Sequence, residues 1–285
     1  MGRVLVVGLA GAVRRWPVVL LLWAVGALFG LAFSIAAGHW LDQALEASLA
    51  TRTLLQDLSL NLLIELWHYH RESLTLLLAV GAVLGLTQLA VTIALNAGVA
   101  GTAQDARAAV TWAEFWKRAF GLYPVFARLW LLATAAELLV LGGLASATWL
   151  GVRWLAESPD EMARYYLIAA ATVVGGPLLL LLVTIHDHAR LYAARKGGGA
   201  LQAMGWAGWF VVRGDARAFL LALVLVALGG AGYLLYRSVV MFVPATSAFG
   251  VTVSLLWGQV LLQSRALLRV TAFVAESELQ AELLE

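Results

Sequence analysis

The chain has 285 residues, of which 62% are hydrophobic and only 13% charged, and its mean hydropathy is +0.86. Such values lie outside the range of soluble domains and are typical of proteins built from membrane-spanning helices. The absence of cysteine excludes disulfides, thiolate metal sites and cysteine nucleophiles. A net charge of only +2 argues against a dedicated nucleic-acid-binding protein, whose basic residues would form a strongly positive face.

Six stretches are long and apolar enough to cross a bilayer, which takes about 20 residues of helix at a rise of 1.5 Å each. They cover about 17–38, 74–97, 129–152, 166–185, 218–236 and 246–262. The apolar run after Arg15 is too long for the core of a signal peptide, so the first stretch is predicted to be a retained span. No Pro/Ser-rich linker interrupts the pattern. The sequence therefore predicts one all-α polytopic membrane domain over 1–285, a bundle of six transmembrane helices.

The basic residues are distributed unevenly between the two sides of these spans. Fourteen of the 19 lysines and arginines fall before the first span, after the last, or in the second–third and fourth–fifth connections. Because short loops rich in lysine and arginine stay in the cytoplasm, both termini are predicted to be cytoplasmic. The expected location is a bacterial inner membrane.

Three connections carry amphipathic patterns that predict interfacial helices, at about 41–72, 111–122 and 199–212. In the second, Thr111 and Glu114 have capping-box spacing, and Pro124 is predicted to end the helix. Its aromatic residues share one face, so this helix is expected to lie flat on the cytoplasmic leaflet. The fourth–fifth connection repeats the scheme, and the two hairpins are either a parallel repeat, as in transporters, or a shared interfacial pattern.

Small residues recur at four-residue spacing in three spans, which lets helix backbones approach closely. These packing seams are Gly26, Gly30 and Ser34; Gly81 and Gly85; and Gly250, Ser254 and Gly258. In the fourth span, the triplet Gly175, Gly176 and Pro177 is predicted to kink the helix. Such a bend either lines a substrate site or only shapes the packing.

Glu137 is the one formal charge deep inside a span. A carboxylate at that depth costs at least about 2.5 kcal/mol on insertion scales, so it normally faces protein or water. It is either a proton or cation site or a carboxyl that hydrogen-bonds helices together. The candidate partners are Gln88, Thr92, Asn96, Gln259 and a neighbouring subunit.

The end of the fourth span, "TIHDHARLYAARKGGG", raises the question of a metal or phosphate site. His186 and His188 are two residues apart and point about 200° away from each other on a helix, which disfavours a shared metal ion. Lys196 precedes the glycines and no strand comes before them, so a turn is predicted and not a phosphate loop. Asp187 and Arg190 have the spacing of an ion pair on one helical face.

On the opposite side of the membrane, His39 and the pair His68 and His70 form the one histidine grouping that could bind a metal. The alternative is that these histidines bind no metal and are hydrogen-bonded at the membrane interface. No cofactor is expected.

Two segments of the chain carry a family resemblance: "NAGVAGTAQDARAAVTWAEFWKRAFGLYPVFARLWLL" and "HDHARLYAARKGGGALQAMGWAGWFVVRGDARAFLLAL". They resemble uncharacterised bacterial six-span proteins, which are similar to the membrane domains attached to some glycerophosphodiester phosphodiesterases. The matching features are Gly98 after the second span, the surface helix at 114–120, and Asp187 with Arg190 closing the fourth span. The resemblance implies a six-span membrane domain and does not extend to the phosphodiesterase activity.

No zinc motif, serine elbow or pair of intramembrane aspartates is present, so the chain is not expected to be an enzyme. The preferred hypothesis is a non-catalytic integral membrane subunit that packs laterally in a larger membrane assembly. Its expected partners are membrane lipids and other membrane subunits or a second copy, and no nucleic acid. The alternative is a monomeric or dimeric transporter or permease for a small molecule or lipid, with Glu137, the kink and Asp187 with Arg190 near its path.

Overall fold

The computed structural model describes residues 2–45, 67–104, 110–155, 162–213, 216–243 and 248–284. The regular structure in these ranges is helical. Eight long helices are described: α1 Gly2–Arg14, α2 Trp16–Leu45, α3 Arg71–Ala103, α4 Trp112–Trp154, α5 Met162–Lys196, α6 Ala200–Arg213, α7 Arg217–Phe242 and α8 Ala248–Leu284. Most of the predicted interfacial helix at 41–72 lies outside the described residues.

Six of these helices, α2, α3, α4, α5, α7 and α8, are long and apolar enough to cross a membrane. The prediction of an all-α polytopic bundle with six spans is thereby confirmed. The protein is a multi-pass membrane protein. Most span residues are not covered by the chain itself, because at most 17% of the most apolar window of any span is buried.

Helix α1 is a separate element that the sequence analysis did not resolve. The chain turns at Arg15, and α1 then lies along the C-terminal part of α8. A Cβ added at Gly8 would come within 2.9 Å of the Thr271 carbonyl oxygen, and one at Gly11 within 2.7 Å of Val274 Cγ1. The glycines therefore allow close contact between α1 and α8.

Helix α4 joins the predicted surface helix and the third span into one element, and Pro124 does not end it. That expectation was wrong. A proline inside a helix removes one hydrogen bond and is tolerated in membrane helices, where neighbouring helices and local adjustment compensate. The predicted start is right, since Thr111 is the N-cap and its hydroxyl accepts a hydrogen bond from the Glu114 backbone N–H at 3.3 Å.

A glycine turn separates α5 from α6. Gly197 and Gly198 have φ values of +71° and +98°, a region that favours glycine. The Gly197 N–H donates to the Ala193 carbonyl at 3.0 Å, which closes the last turn of α5. The stretch that could be mistaken for a phosphate loop is thus a helix terminus, and α6 begins at Ala200, close to the expected 199. The two hairpins differ, because α6 is separate from α7 whereas α4 is continuous.

Helix α8 extends far beyond the predicted sixth span, which was expected to end near residue 262. It is continuous to Leu284, and eight of the residues from Val270 to Leu279 are buried. The residues after 262 therefore continue the sixth spanning helix, and many of them pack among other helices.

The chain forms two compact units, one of residues 1–20 and 93–285 and the other of residues 21–92. In the second unit, Trp40 Nε1 of α2 donates to Ser73 Oγ of α3 at 3.0 Å, and the Phe33 ring lies 3.0 Å from a Cβ built on Gly81. Both boundaries fall inside helices, where composition gives no signal. The single membrane domain stays a prediction.

Nearly all buried apolar residues of the first unit belong to what we call the terminal bundle. It consists of α1, 93–103 of α3, 112–133 of α4, 184–196 of α5, α6, 217–222 of α7 and 269–284 of α8. Of the buried hydrophobic residues in the described ranges, Val18 and Val19 alone lie outside it. Apolar side chains can face lipid directly, but they are buried by protein where the helices extend out of the bilayer into water. The protein core therefore forms at this end of the helices.

Candidate functional site

Asp187 is the centre of a buried polar cluster in the terminal bundle. One carboxylate oxygen, Oδ1, accepts a hydrogen bond from Arg190 Nη1 at 2.8 Å and another from Arg269 Nη2 at 3.1 Å. The other oxygen, Oδ2, accepts from Arg269 Nη1 at 3.1 Å. The expected pairing of Asp187 with Arg190 is present. Arg269 of α8 is a further partner of Asp187 and makes the bidentate contact that arginine forms with carboxylates.

Arg269 connects three helices through this cluster. Besides its contact with Asp187 on α5, its Nε donates to Asn96 Oδ1 on α3 over a long 3.5 Å. Its guanidinium group also lies over the Phe273 ring, 4.6 Å from the centroid, in a cation–π arrangement. We use the name Asp187 cluster for Asn96, Asp187, Arg190, Arg269 and Glu276.

Glu276 completes the Asp187 cluster as a second buried carboxyl. It lies two turns after Arg269 on α8 and is only 4% exposed. Its carboxyl interacts electrostatically with Asp187, Arg190 and Arg269. The cluster therefore contains two acidic and two basic side chains.

Several polar atoms of α5 and α8 are enclosed and have no hydrogen-bond partner within the described part of the chain. They are His186 Nε2, His188 Nε2, Arg190 Nε, Thr271 Oγ1 and Glu276 Oε2. Such atoms are costly unless internal water satisfies them.

A second polar contact between α5 and α8 lies beside the Asp187 cluster. Gln280 Nε2 is 2.9 Å from His188 Nδ1 and donates to the His188 carbonyl at 3.0 Å. The His188 ring packs against Phe210 of α6 with 5.0 Å between centroids. Phe210 in turn stacks on Trp206, which stacks on Tyr192. The sequence predicted that the aromatic residues of α6 face the leaflet. Trp206 and Phe210 face protein instead, whereas Trp209 is 59% exposed.

The aromatic face of α4 is divided in the same way. Phe115 and Ala119 are buried, and the Phe115 ring packs on Gly98 of α3. Trp112, Trp116 and Phe120 stay exposed. The helix is thus part of the terminal bundle on one side, and contact of its exposed side with the leaflet stays a prediction.

Glu137 is not part of the Asp187 cluster. It lies half-buried in the spanning part of α4, where it forms no hydrogen bond or ion pair with any described residue. One of its suggested partners, Asn96, contacts Arg269. The two candidate polar features of the sequence are therefore separate.

The predicted seams differ in how far the chain covers them. A Cβ built on Gly26, Gly30 or Gly85 would meet no atom within 4 Å outside its own helix. A Cβ built on Gly258 would meet the Tyr236 ring at 3.9 Å. In the same seam, Gly250 is buried and Ser254 Oγ is enclosed. Ser34, in the seam of α2, is exposed.

Helix α5 is uninterrupted through Gly175, Gly176 and Pro177, and the predicted kink there stays a prediction. Gly175 packs against α4, since a Cβ there would lie 2.8 Å from Leu144 Cδ1. Between the same helices is an open, mostly apolar groove of about 600 Å³, lined by residues of 141–152 and 168–179.

The histidine grouping on the other side gives no ligand set. His39 Nε2 is hydrogen-bonded to Gln43 at 3.0 Å, and His68 packs edge-on against Tyr69. Among the described residues, no three His, Asp or Glu side chains are placed to hold a metal ion.

Sequence reasoning missed Arg269, Glu276 and Gln280 as site residues. A signal was present: 269, 273, 276 and 280 follow a spacing of four, three and four, which places them on one helical face. The predicted sixth span ended near residue 262, and no site role was assigned to the residues after it.

No family model, curated protein or solved structure matches this chain. The resemblance to membrane domains attached to glycerophosphodiester phosphodiesterases therefore stays a prediction.

Proposed function

We propose that the protein is a non-catalytic integral membrane subunit that packs laterally in a larger assembly of a bacterial cytoplasmic membrane. The observation that supports this most is the contrast between the terminal bundle and the spans. The terminal bundle is buried and joined by ionic contacts, whereas the spans expose small-residue faces. These exposed faces are available for contact with other helices in the membrane.

The uncovered glycines favour a protein neighbour over lipid alone. Gly26 and Gly30 lie on one face of α2 and meet nothing beyond their own helix. The same is true of Gly142 and Gly143 in α4. Small residues in a span allow a second helix to approach closely, and this close packing is a main source of helix association in lipid.

The proposed orientation places the terminal bundle in the cytoplasm. Most of the basic residues lie near this end, and such residues are retained on the cytoplasmic side. The Asp187 cluster would then hold the cytoplasmic ends of α3, α5 and α8 at fixed distances. We assign it a structural role and no catalytic one.

A lipid or small-molecule permease is the second candidate, and one observation favours it. Glu137, Leu141, Leu144 and Thr148 follow helical spacing on α4, so the carboxyl lies on the face that lines the groove one turn later. An acidic group beside an apolar groove could bind the polar end of an amphiphile.

Purification in mild detergent from the source membrane, with mass spectrometry of the proteins that co-migrate, tests the proposal. We expect other membrane subunits in fixed stoichiometry. The double variant Gly26→Leu/Gly30→Leu should lose them, because leucines at the seam keep a second helix away. Ala24→Leu, on a different face of α2, is the matched control and should retain them.

A lone monomer or a homodimer would contradict the subunit hypothesis. Loss of partners in the Ala24→Leu control as well would show that the loss is not specific to the seam. If purified chain in liposomes moved a labelled lipid and Glu137→Gln stopped it, the permease would replace the subunit as the better explanation.

A further inference from the structure

Helix α1 has two opposite apolar faces, and the protein covers only one of them. The covered face consists of Val4, Gly8, Gly11 and Ala12. The opposite side, which we call the outer face of α1, consists of Val6, Leu9 and Val13. These side chains are 68%, 49% and 58% exposed. Exposed apolar stripes of this kind mark sites of contact with a membrane or another protein.

The charges of α1 indicate what covers the outer face. Arg3 and Arg14 are eleven positions apart, about three helical turns, so both lie along the same edge of the stripe. The helix contains no acidic residue. An apolar stripe with a basic border is the pattern of helices that lie in the lipid headgroup region.

The position of α1 in the chain gives an independent argument for lipid. Arg15 alone separates α1 from α2, which begins at Trp16 and is a candidate span. A helix joined to a span through one residue cannot be far from the surface where that span enters the bilayer. Its outer face therefore lies near that membrane surface.

We infer that the outer face of α1 binds the headgroup–acyl boundary of an anionic lipid leaflet. Val6, Leu9 and Val13 insert among the acyl chains, to a depth of about 5–10 Å as is usual for interfacial helices. Arg3 and Arg14 extend their apolar stems along the border and place their guanidinium groups at lipid phosphates.

This binding couples the membrane surface to the terminal bundle. The covered face of α1 packs on α8 next to Thr271 and Val274, close along the helix to Arg269 and Glu276. Lipid on one side of α1 and α8 on the other hold the helix in place. The inference does not depend on the proposed subunit role, because lipid contact of α1 needs no partner protein.

The absence of cysteine allows a direct test on the full chain. Val6→Cys, Leu9→Cys and Val13→Cys are made singly, labelled with a nitroxide and placed in nanodiscs that contain an anionic phospholipid. The ratio of accessibility to oxygen over that to a water-soluble nickel chelate reports depth. Val226→Cys, at an exposed site within α7, and Lys196→Cys, at the glycine turn, are the lipid and water references.

We expect all three labels on α1 to give ratios well above that of Lys196→Cys and approaching that of Val226→Cys. Ratios equal to Lys196→Cys would place the outer face in water and overturn the inference. Labels that are immobile and reached by neither reagent would show that protein covers the face, as in contact with a second copy.

The anionic part of the inference has its own test. Arg3→Gln/Arg14→Gln should lower the ratio at the Leu9→Cys label in anionic nanodiscs, and nanodiscs without anionic lipid should do the same to the parent chain. Arg153→Gln/Arg237→Gln, at the ends of α4 and α7, is the matched control and should leave the ratio unchanged. If the ratio at Leu9→Cys stayed constant throughout, headgroup charge would have no part in binding.

Discussion

Arg269 on α8 donates from both terminal nitrogens to the two carboxylate oxygens of Asp187 on α5, each over 3.1 Å and across 82 positions of sequence. The Asp187 side chain is only 9% exposed, and that of Arg269 32%. The contact joins the C-terminal helix to the fourth span. It fixes the register of α8 against α5.

Replacing Arg269 with alanine should strongly destabilise the terminal bundle. Among the described residues, the change leaves Asp187 with Arg190 as its only basic hydrogen-bond partner, and it removes the link to Asn96. Removing one partner of a buried pair costs about 3–5 kcal/mol. We expect a loss toward the lower end of that range, measured as the free energy of unfolding by chemical denaturation in mixed micelles.

The exposed pair of Arg118 and Glu114 on α4 gives the matched control. Its atoms are 3.4 Å apart, and the side chains are 42% and 51% exposed. A solvated pair four residues apart contributes roughly 0.3–0.5 kcal/mol, so Arg118→Ala should be nearly neutral. Equal effects of Arg118→Ala and Arg269→Ala would show that the Asp187 contact has no special role.

Gly8→Ala should weaken the packing of α1 on α8. The new methyl would lie 2.8 Å from Ala275 Cβ and 2.9 Å from the Thr271 carbonyl oxygen, and that backbone oxygen cannot move aside as a flexible side chain could. Overpacking of this kind costs about 1–3 kcal/mol, which exceeds the gain in helix propensity of up to about 1 kcal/mol. The expected result is a lower thermal unfolding midpoint.

Gly205→Ala is the control for that substitution. Gly205 is inside α6, and a Cβ there would meet nothing within 4 Å. With no clash, the alanine should raise the midpoint slightly through helix propensity. A fall in both variants would mean that glycine flexibility matters more than contact with α8.

The number and type of the spans could be predicted from the sequence, because long apolar runs of helical length have few alternatives in a bilayer. The N-cap at Thr111 was also predictable, since a capping box depends on residues three positions apart. The pairing of Asp187 with Arg190 depends on a spacing of the same kind. In each of these examples the signal is local.

What the sequence did not predict depends on contacts between distant segments. The length of α8 was not predicted because polar residues such as those in its last part are usually exposed to solvent. Here they are buried because they face Asp187 and His188 of α5. Pro124 was expected to stop a helix, which is the usual effect of proline in water. The packing of Gly8 and Gly11 against α8 was not predicted, because no local pattern in α1 indicates which distant segment it contacts.

Gln280→Met should destabilise the contact between α5 and α8 through loss of a donor. Methionine has nearly the volume of glutamine, so the packing around it changes little. The His188 carbonyl and ring nitrogen lose their bonds to Gln280 in a buried place. A buried polar group left without its partner costs about 1–3 kcal/mol. Gln202→Met, at an exposed site on α6, should have no measurable effect on the unfolding free energy, and a similar loss there would point to the substitution itself.

Glu137→Leu should not destabilise the isolated chain in nanodiscs. The carboxyl makes no bond with a described residue, and a charged carboxyl near the bilayer centre costs at least about 2.5 kcal/mol on insertion scales. Leucine removes that cost and loses no contact within the chain, so the thermal midpoint should stay or rise. Ala135→Leu, two positions away on an exposed side of α4, controls for the added apolar volume. A midpoint lowered by Glu137→Leu alone would mean that the carboxyl is bonded within the chain, and it would remove Glu137 as a contact available to a neighbouring subunit or an amphiphile.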